Sequence, residues 1–151
     1  MEISFIYTLH GLQPFDPETI EYVGKLKLGD IVMGKLVRPR NYRFLKKYFA
    51  MLRLTFDQWK PGKLSKEYGT PLKSFTHFRK DVIKLAGYYH TVFRLDGSFT
   101  VEADSISFGK MTEEEFELLY NRSLDVVVQR VWGDMTNEEV NDLVEKVLSF
   151  A

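Results

Sequence analysis

"RNYRFLKKYFAMLRLTFDQW", Arg40 to Trp59, decides how the chain folds. At 100° per residue, Leu45, Tyr48, Phe49, Leu52, Phe56 and Trp59 fall on one face, the mark of an amphipathic helix. Arg40, Arg43 and Lys47 fall on the opposite face, and Lys46 and Arg53 on one flank. Tyr42 and Phe44 lie off the apolar stripe near the helix start, which leaves them available to stack on a ligand. A stripe this rich in large side chains needs partner elements to cover it, and the rest of the chain supplies them.

Upstream, "EISFIYT" alternates with period two and reads as a strand. In "FDPETIEYVGKL", Asp16 is a candidate N-cap with Pro17 at the first helical position, so a short helix is expected. "GDIVMGKLVRP" reads as a second strand, stopped by Pro39. Downstream, "KPGKLSKEYGTP" is a Gly/Pro-punctuated loop. Thr70-Pro71 is expected to open another helix that Gly87 ends. Its core stripe is Phe75, Phe78, Val82 and Leu85; Lys73, His77, Lys80 and Lys84 form the opposite one. "YYHTVFRLDGSFTVEADSISF" is a hairpin with Asp96-Gly97 at its turn. Thr112 with Glu115 and Thr136 with Glu139 each spell a capping box, so two helices close the chain. Their apolar stripes are Phe116, Leu119, Tyr120, Val127, Val131 and then Val140, Leu143, Val144, Val147, Leu148. The expected fold is α+β, a single domain over residues 1–151. Its N-terminal strands and the hairpin share a small antiparallel sheet packed against about four to five helices.

The totals agree. A chain of 151 residues with 44% hydrophobic residues can bury one sizeable core. There is no cysteine, which excludes disulfides and thiolate ligands. No apolar run approaches the ~20 residues of a membrane span. "MEISFIYTLHG" lacks the basic start of a signal peptide, so no membrane partner and a cytoplasmic location are expected.

Net charge is zero, but it is divided. Residues 25–84 hold 16 of the 21 Lys and Arg and only 4 of the 21 Asp and Glu, a net +12, so the remainder carries −12. Such asymmetry points to an anionic partner, or to two zones that pair inside the fold. Few acids accompany the basic stripes, so helical Glu–Lys neutralisation is scarce there. The candidate nucleic-acid-binding residues are Arg38, Arg40, Arg43, Lys46, Lys47, Arg53, Lys73, His77, Lys80 and Lys84, with Tyr42 and Phe44 to stack; exposed Tyr68 is a further stacking candidate. The cluster Glu113, Glu114, Glu115 and Glu117 fits the first turn of a helix, where the macrodipole favours negative charge. "LDVVVQRVW" offers apolar surface that reads either as core or as a homodimer seam.

Catalytic and metal constellations are weak. His10, His77 and His90 have no ligand spacing, and no phosphate-binding or nucleophile-elbow motif occurs. Glu102 and Asp104, two apart on a strand, could hold a magnesium ion, but no Lys follows to complete a nuclease-like set. A solvent-facing strand edge is the better reading. No catalytic residue, metal or cofactor is assigned.

Three segments carry a resemblance: "RNYRFLKKYFAMLRLTFDQW", "KSFTHFRKDVIKLAGYYHTV" and "SISFGKMTEEEFELLYNRSLDVV". In them the chain resembles a family of small, functionally uncharacterised bacteriophage and prophage proteins, which implies phage origin and brings no catalytic residues. It is also similar to the NinB-type recombination mediators of lambda-like phages, which act as dimers that bind DNA and single-strand-binding protein. Arg40, Asn41 and Arg43 are the corresponding positions; that family's Asn-Arg-Ser…Gln-Asn pattern is absent here. The expected function is therefore a phage-encoded, non-catalytic DNA-binding accessory protein of recombination or replication. Its ligand would be single-stranded or branched DNA, with host single-strand-binding protein or another host protein as further partner. The rival is a host-takeover or anti-defence protein that inhibits a bacterial complex through its acidic helices.

Overall fold

The computed structural model describes residues 3–37, 41–62 and 69–150. The architecture is α+β, with five helices and two small antiparallel sheets of two strands each among the described residues. The chain divides into two compact units, residues 1–37 and 38–151.

In the first unit, β1 (Phe5–Thr8) pairs antiparallel with β2 (Gly11–Pro14), Phe5 opposite Pro14 and Thr8 opposite Gly11. α1 (Pro17–Gly24) follows, capped as expected. The Asp16 carboxylate accepts from the Thr19 backbone N–H at 2.8 Å and from the Thr19 hydroxyl at 2.9 Å. That hydroxyl oxygen accepts in turn from the Ser4 N–H at 2.8 Å, which ties the cap to the chain before β1. The expected strand in "GDIVMGKLVRP" is not formed. Residues 30–37 are exposed and carry no strand pairing among the described residues; Arg38 and Pro39 lie outside the described residues. Alternation alone does not make a strand, because a ladder needs a partner edge. The strands accordingly form two separate hairpins instead of one sheet.

The second unit is built round α2 (Tyr42–Gln58). Asn41 stands before it at φ +60°, a left-handed conformation that Asn tolerates. Its side-chain amide donates to the carbonyls of Met111 and Phe108 at 2.8 and 3.3 Å. α3 (Phe75–Leu85) begins later than Thr70-Pro71 suggests. Ser74 is the N-cap, its hydroxyl accepting from the His77 N–H at 3.3 Å. Gly87, at φ +96°, turns the chain out of α3 as expected. β3 (Tyr89–Phe93) and β4 (Phe99–Ala103) form the expected hairpin, with Gly97 at φ +85° in its turn. A 3₁₀ turn (Phe108–Lys110) leads to α4 (Glu113–Arg130) and α5 (Asn137–Phe150). Both capping boxes are present.

α2 packs against α3, α4, α5 and the 3₁₀ turn, and α3 also packs against β4. Tyr48, Met51, Leu52, Leu119, Val127, Val140 and Val144 are fully buried between them. The Tyr48 hydroxyl pairs with the buried Ser123 hydroxyl at 2.9 Å. Burial pushes the Tyr48 phenol up to about 12, opposed in part by that hydrogen bond. The apolar surface of "LDVVVQRVW" is partly covered within this unit, with Val126, Val128, Val131 and Trp132 half-buried. Leu124 and Val127 are core, and the Trp132 indole N–H donates to the Thr55 hydroxyl at 2.9 Å. The α3 stripe differs from expectation at one end: Leu85 is exposed and Ile83 is buried in its place.

Candidate nucleic-acid interface

Two cations of α2 are engaged by carboxylates of the closing helices. Arg43 pairs with Glu113, its guanidinium 5.0 Å from the Phe44 ring centre. The Lys47 ammonium lies 3.0 Å from Glu145 and 4.6 Å from the Tyr120 ring centre, with only 28% of its side chain exposed. Both residues turn toward the acidic helices α4 and α5, so part of the charge asymmetry is neutralised inside the fold. Phe44, expected to be available for stacking, is buried and lies parallel to Phe116 at 4.3 Å. The apolar sector of α2 is wider than the stripe drawn from its sequence, because helices cover it on more than one side. Tyr42 remains exposed. Arg38, Arg40 and Tyr68 lie outside the described residues.

On the side of α2 that meets α3, the cations have other tasks. The Lys73 ammonium donates to the carbonyls of Phe56 and Trp59 at 2.6 and 2.8 Å, closing the α2 C-terminus where the dipole favours a cation. Lys84 pairs with Asp81 at 2.8 Å. The Arg53 guanidinium stacks 3.9 Å above the Phe75 ring, and Arg79 lies 5.7 Å from that of Phe49. His77 bonds the Ser74 hydroxyl through Nδ1 at 2.8 Å. Arg53, His77 and Lys80 are exposed and make no ion pair with a carboxylate among the described residues; Lys46 is half-buried.

The hairpin adds a surface that sequence reasoning missed. Directly opposite residues share a face, and each strand alternates. With Tyr89 opposite Ala103, Thr91 opposite Val101 and Phe93 opposite Phe99, one face carries Tyr89, Phe93, Phe99 and Val101. Tyr89 is 52% exposed, Phe93 83% and Phe99 65%. The other face carries His90, Val92, Thr100 and Glu102, with His90 Nδ1 2.9 Å from Asp104. Glu102 lies 3.7 Å from His90 Nε2, so the acid pair weighed above for magnesium faces a cross-strand histidine. The signal was present: Tyr-x-Thr-x-Phe and Phe-x-Val-x-Ala on either side of Asp96-Gly97 put every ring on one face.

A shallow cleft of about 490 Å³ opens between α4 and α5, lined among others by Lys47, Tyr120, Asn137 and Asn141. There the Tyr120 hydroxyl donates to Asn141 at 2.8 Å. Burial and then the Glu145 carboxylate hold its phenol well above the ordinary tyrosine range. A neutral, hydrogen-bonded tyrosine of this kind is a structural group.

No described helix is long and apolar enough to cross a membrane. No curated protein and no solved structure matches the chain. One family model matches over residues 2–68 and 63–150, and its description is "Protein of unknown function (DUF1367)". Those two segments span nearly all 151 residues, and the chain therefore belongs to the DUF1367 family.

Proposed function

We propose that this chain is a non-catalytic DNA-binding accessory protein of phage recombination or replication that works in the cytoplasm of the host cell. Its ligand is single-stranded or branched DNA, held on the aromatic face of the β3–β4 hairpin. The observation that carries this reading is the exposure of Tyr89, Phe93 and Phe99 on one side of a single hairpin. Large apolar side chains gathered on one open face mark a binding surface. Rings of that kind offer stacking planes to unpaired bases and nothing to the stacked interior of a duplex. α3 packs against β4, and its exposed Lys80 supplies charge for phosphates and His77 a polar edge, with the Arg53 charge on the adjoining helix. Such contacts are sequence-independent.

The rival reading through the acidic helices has less to work with, since Glu113 and Glu145 are engaged with Arg43 and Lys47.

The test is fluorescence anisotropy with an oligothymidylate and with a duplex of equal length, each titrated with salt. Single-strand binding should be the tighter. Its log K should fall with log salt at a slope of about −2 to −3, as expected for three or four phosphates. Phe93→Ala and Phe99→Ala should each weaken it by roughly tenfold, because stacking contributes on the order of 1–3 kcal/mol per base. Equal binding of duplex, a flat salt response or unimpaired variants would overturn the reading.

A further inference from the structure

The β3–β4 hairpin has unused backbone. Arg94 N–H donates to the Ser98 carbonyl at 2.7 Å, and Asp104 N–H to the Tyr88 carbonyl at 3.0 Å. In an antiparallel ladder, bonded and non-bonded pairs alternate. The inward-bonding residues of β3 are therefore His90 and Val92, and Tyr89, Thr91 and Phe93 turn their N–H and C=O groups outward. No backbone bond reaches these outward groups from a described residue beyond the hairpin. α3 packs against β4, so of the two edges that of β3 is the less covered. A lone two-stranded hairpin with an open apolar face is marginal in water, and an open edge is a template for another strand.

The same chain carries a strand-patterned segment without a ladder. Ile31–Val37 is extended in composition and exposed along its length, with Ile31 89%, Met33 91%, Leu36 71% and Val37 71% accessible. Among the described residues it makes no backbone hydrogen bond. The charges are complementary. Residues 25–37 hold Lys25, Lys27 and Lys35 against Asp30, a net +2. Residues 88–104 hold Arg94 against Asp96, Glu102 and Asp104, a net −2 with His90 neutral.

We propose that Ile31–Val37 of one copy adds to the β3 edge of a second copy as a third strand, reciprocally, so that two chains close into a dimer. Two-fold exchange satisfies both open edges and leaves no free segment to propagate further. Alternation fixes which side chains go where. Val32, Gly34 and Leu36 lie on the aromatic side, where Gly34, with nothing within 4 Å of its Cβ position, leaves room for a Tyr89 or Phe93 ring. Lys35 then lies on the side of His90 and Glu102. Two additions of about five ladder pairs each bury on the order of 1,000 Å², the threshold of a specific interface. The dimer widens the aromatic face without covering it, and it stands whether or not that face binds DNA.

The absence of cysteine makes the test clean. A Met33→Cys protein is mixed with a differently tagged Val92→Cys protein, the two positions lying on the His90 side of the proposed sheet, and treated with a short bismaleimide. A covalent heterodimer well above that of a Met33→Cys and Glu138→Cys control pair is expected. Sedimentation should show a dimer at tens of micromolar. Met33→Pro with Gly34→Pro, in a segment that makes no backbone hydrogen bond among the described residues, removes an inward backbone donor whichever way the strand runs and should weaken it at least tenfold. Lys35→Glu should also weaken it, and Glu102→Lys in the same chain should restore part of the loss. A monomeric wild type, a dimer indifferent to the Met33→Pro, Gly34→Pro pair, or no heterodimer above control would each overturn the proposal.

Discussion

Phe44 shows what one residue's surroundings decide. Its ring is parallel to that of Phe116 at 4.3 Å, and Arg43 lies over it from outside. Phe44→Ala would hollow the packing between α2 and α4, and should cost about 3–5 kcal/mol in urea melts. A cost near zero would mean that the α2–α4 packing is wrong. Tyr48 makes a different demand. Its phenol is buried against Ser123, and its folded pKa stands at about 12 against roughly 10 unfolded. The folded state thus holds its proton more tightly than the unfolded one. That contribution is whole below pH 10 and is lost as pH rises from 10 toward 12, to a limit of roughly 2–3 kcal/mol. Tyr48→Phe should lower stability at neutral pH by about 1–2 kcal/mol, because Ser123 loses its partner. It should also flatten the fall above pH 10. Melts of both proteins between pH 8 and 11.5 would check the two effects together; an unchanged alkaline slope would mean that Tyr48 is not protected.

Among the elements, α2 depends on how it begins. Asn41 combines a left-handed backbone with two hydrogen bonds to the 3₁₀ turn. Asn41→Ala loses those bonds and strains the backbone, so a loss of about 2–3 kcal/mol is expected in the same melts. Asn41→Gly keeps the conformation and should cost less; equal losses would remove backbone strain from the account. Its two side-chain hydrogen bonds serve the fold. The elements that could be read in advance have local causes. The Asp16 cap, both Thr-x-x-Glu boxes and the Asp96-Gly97 turn are each specified within a few residues. What could not be read was relational. Ile31–Val37 has a strand's pattern but pairs with no edge among the described residues, and α2 has partners on more sides than a single apolar stripe can express. The start of α3 was missed because Ser74, a hydroxyl cap, won over the more conspicuous Thr70-Pro71. The candidate site was half legible for the same reason. Its cations are obvious in sequence, but whether a cation meets solvent or a carboxylate is settled by neighbours far along the chain.

For the whole molecule, the division of charge is the quantity to test. Sixteen of the 21 basic residues lie between residues 25 and 84, and one reading sends all of them toward an anionic ligand. The second unit divides them. Arg43 and Lys47 meet Glu113 and Glu145, whereas Arg53, His77 and Lys80 stay exposed. Two double substitutions separate these roles. Arg43→Ala with Lys47→Ala removes two cross-helix ion pairs and the packing of Lys47 on Tyr120. Exposed pairs contribute little, but Lys47 is mostly covered, so the double substitution should cost about 1–2 kcal/mol of stability. It should leave the slope of log K against log salt for single-stranded DNA unchanged. Arg53→Ala with Lys80→Ala should do the reverse. It removes the stacking of Arg53 on Phe75, so stability should stay within about 1 kcal/mol of the wild type. The salt slope should become shallower by roughly 1–1.5. Should the first pair alter the slope and the second not, the ligand-facing charge would lie along α4 and α5, and the two sets of cations would have exchanged roles.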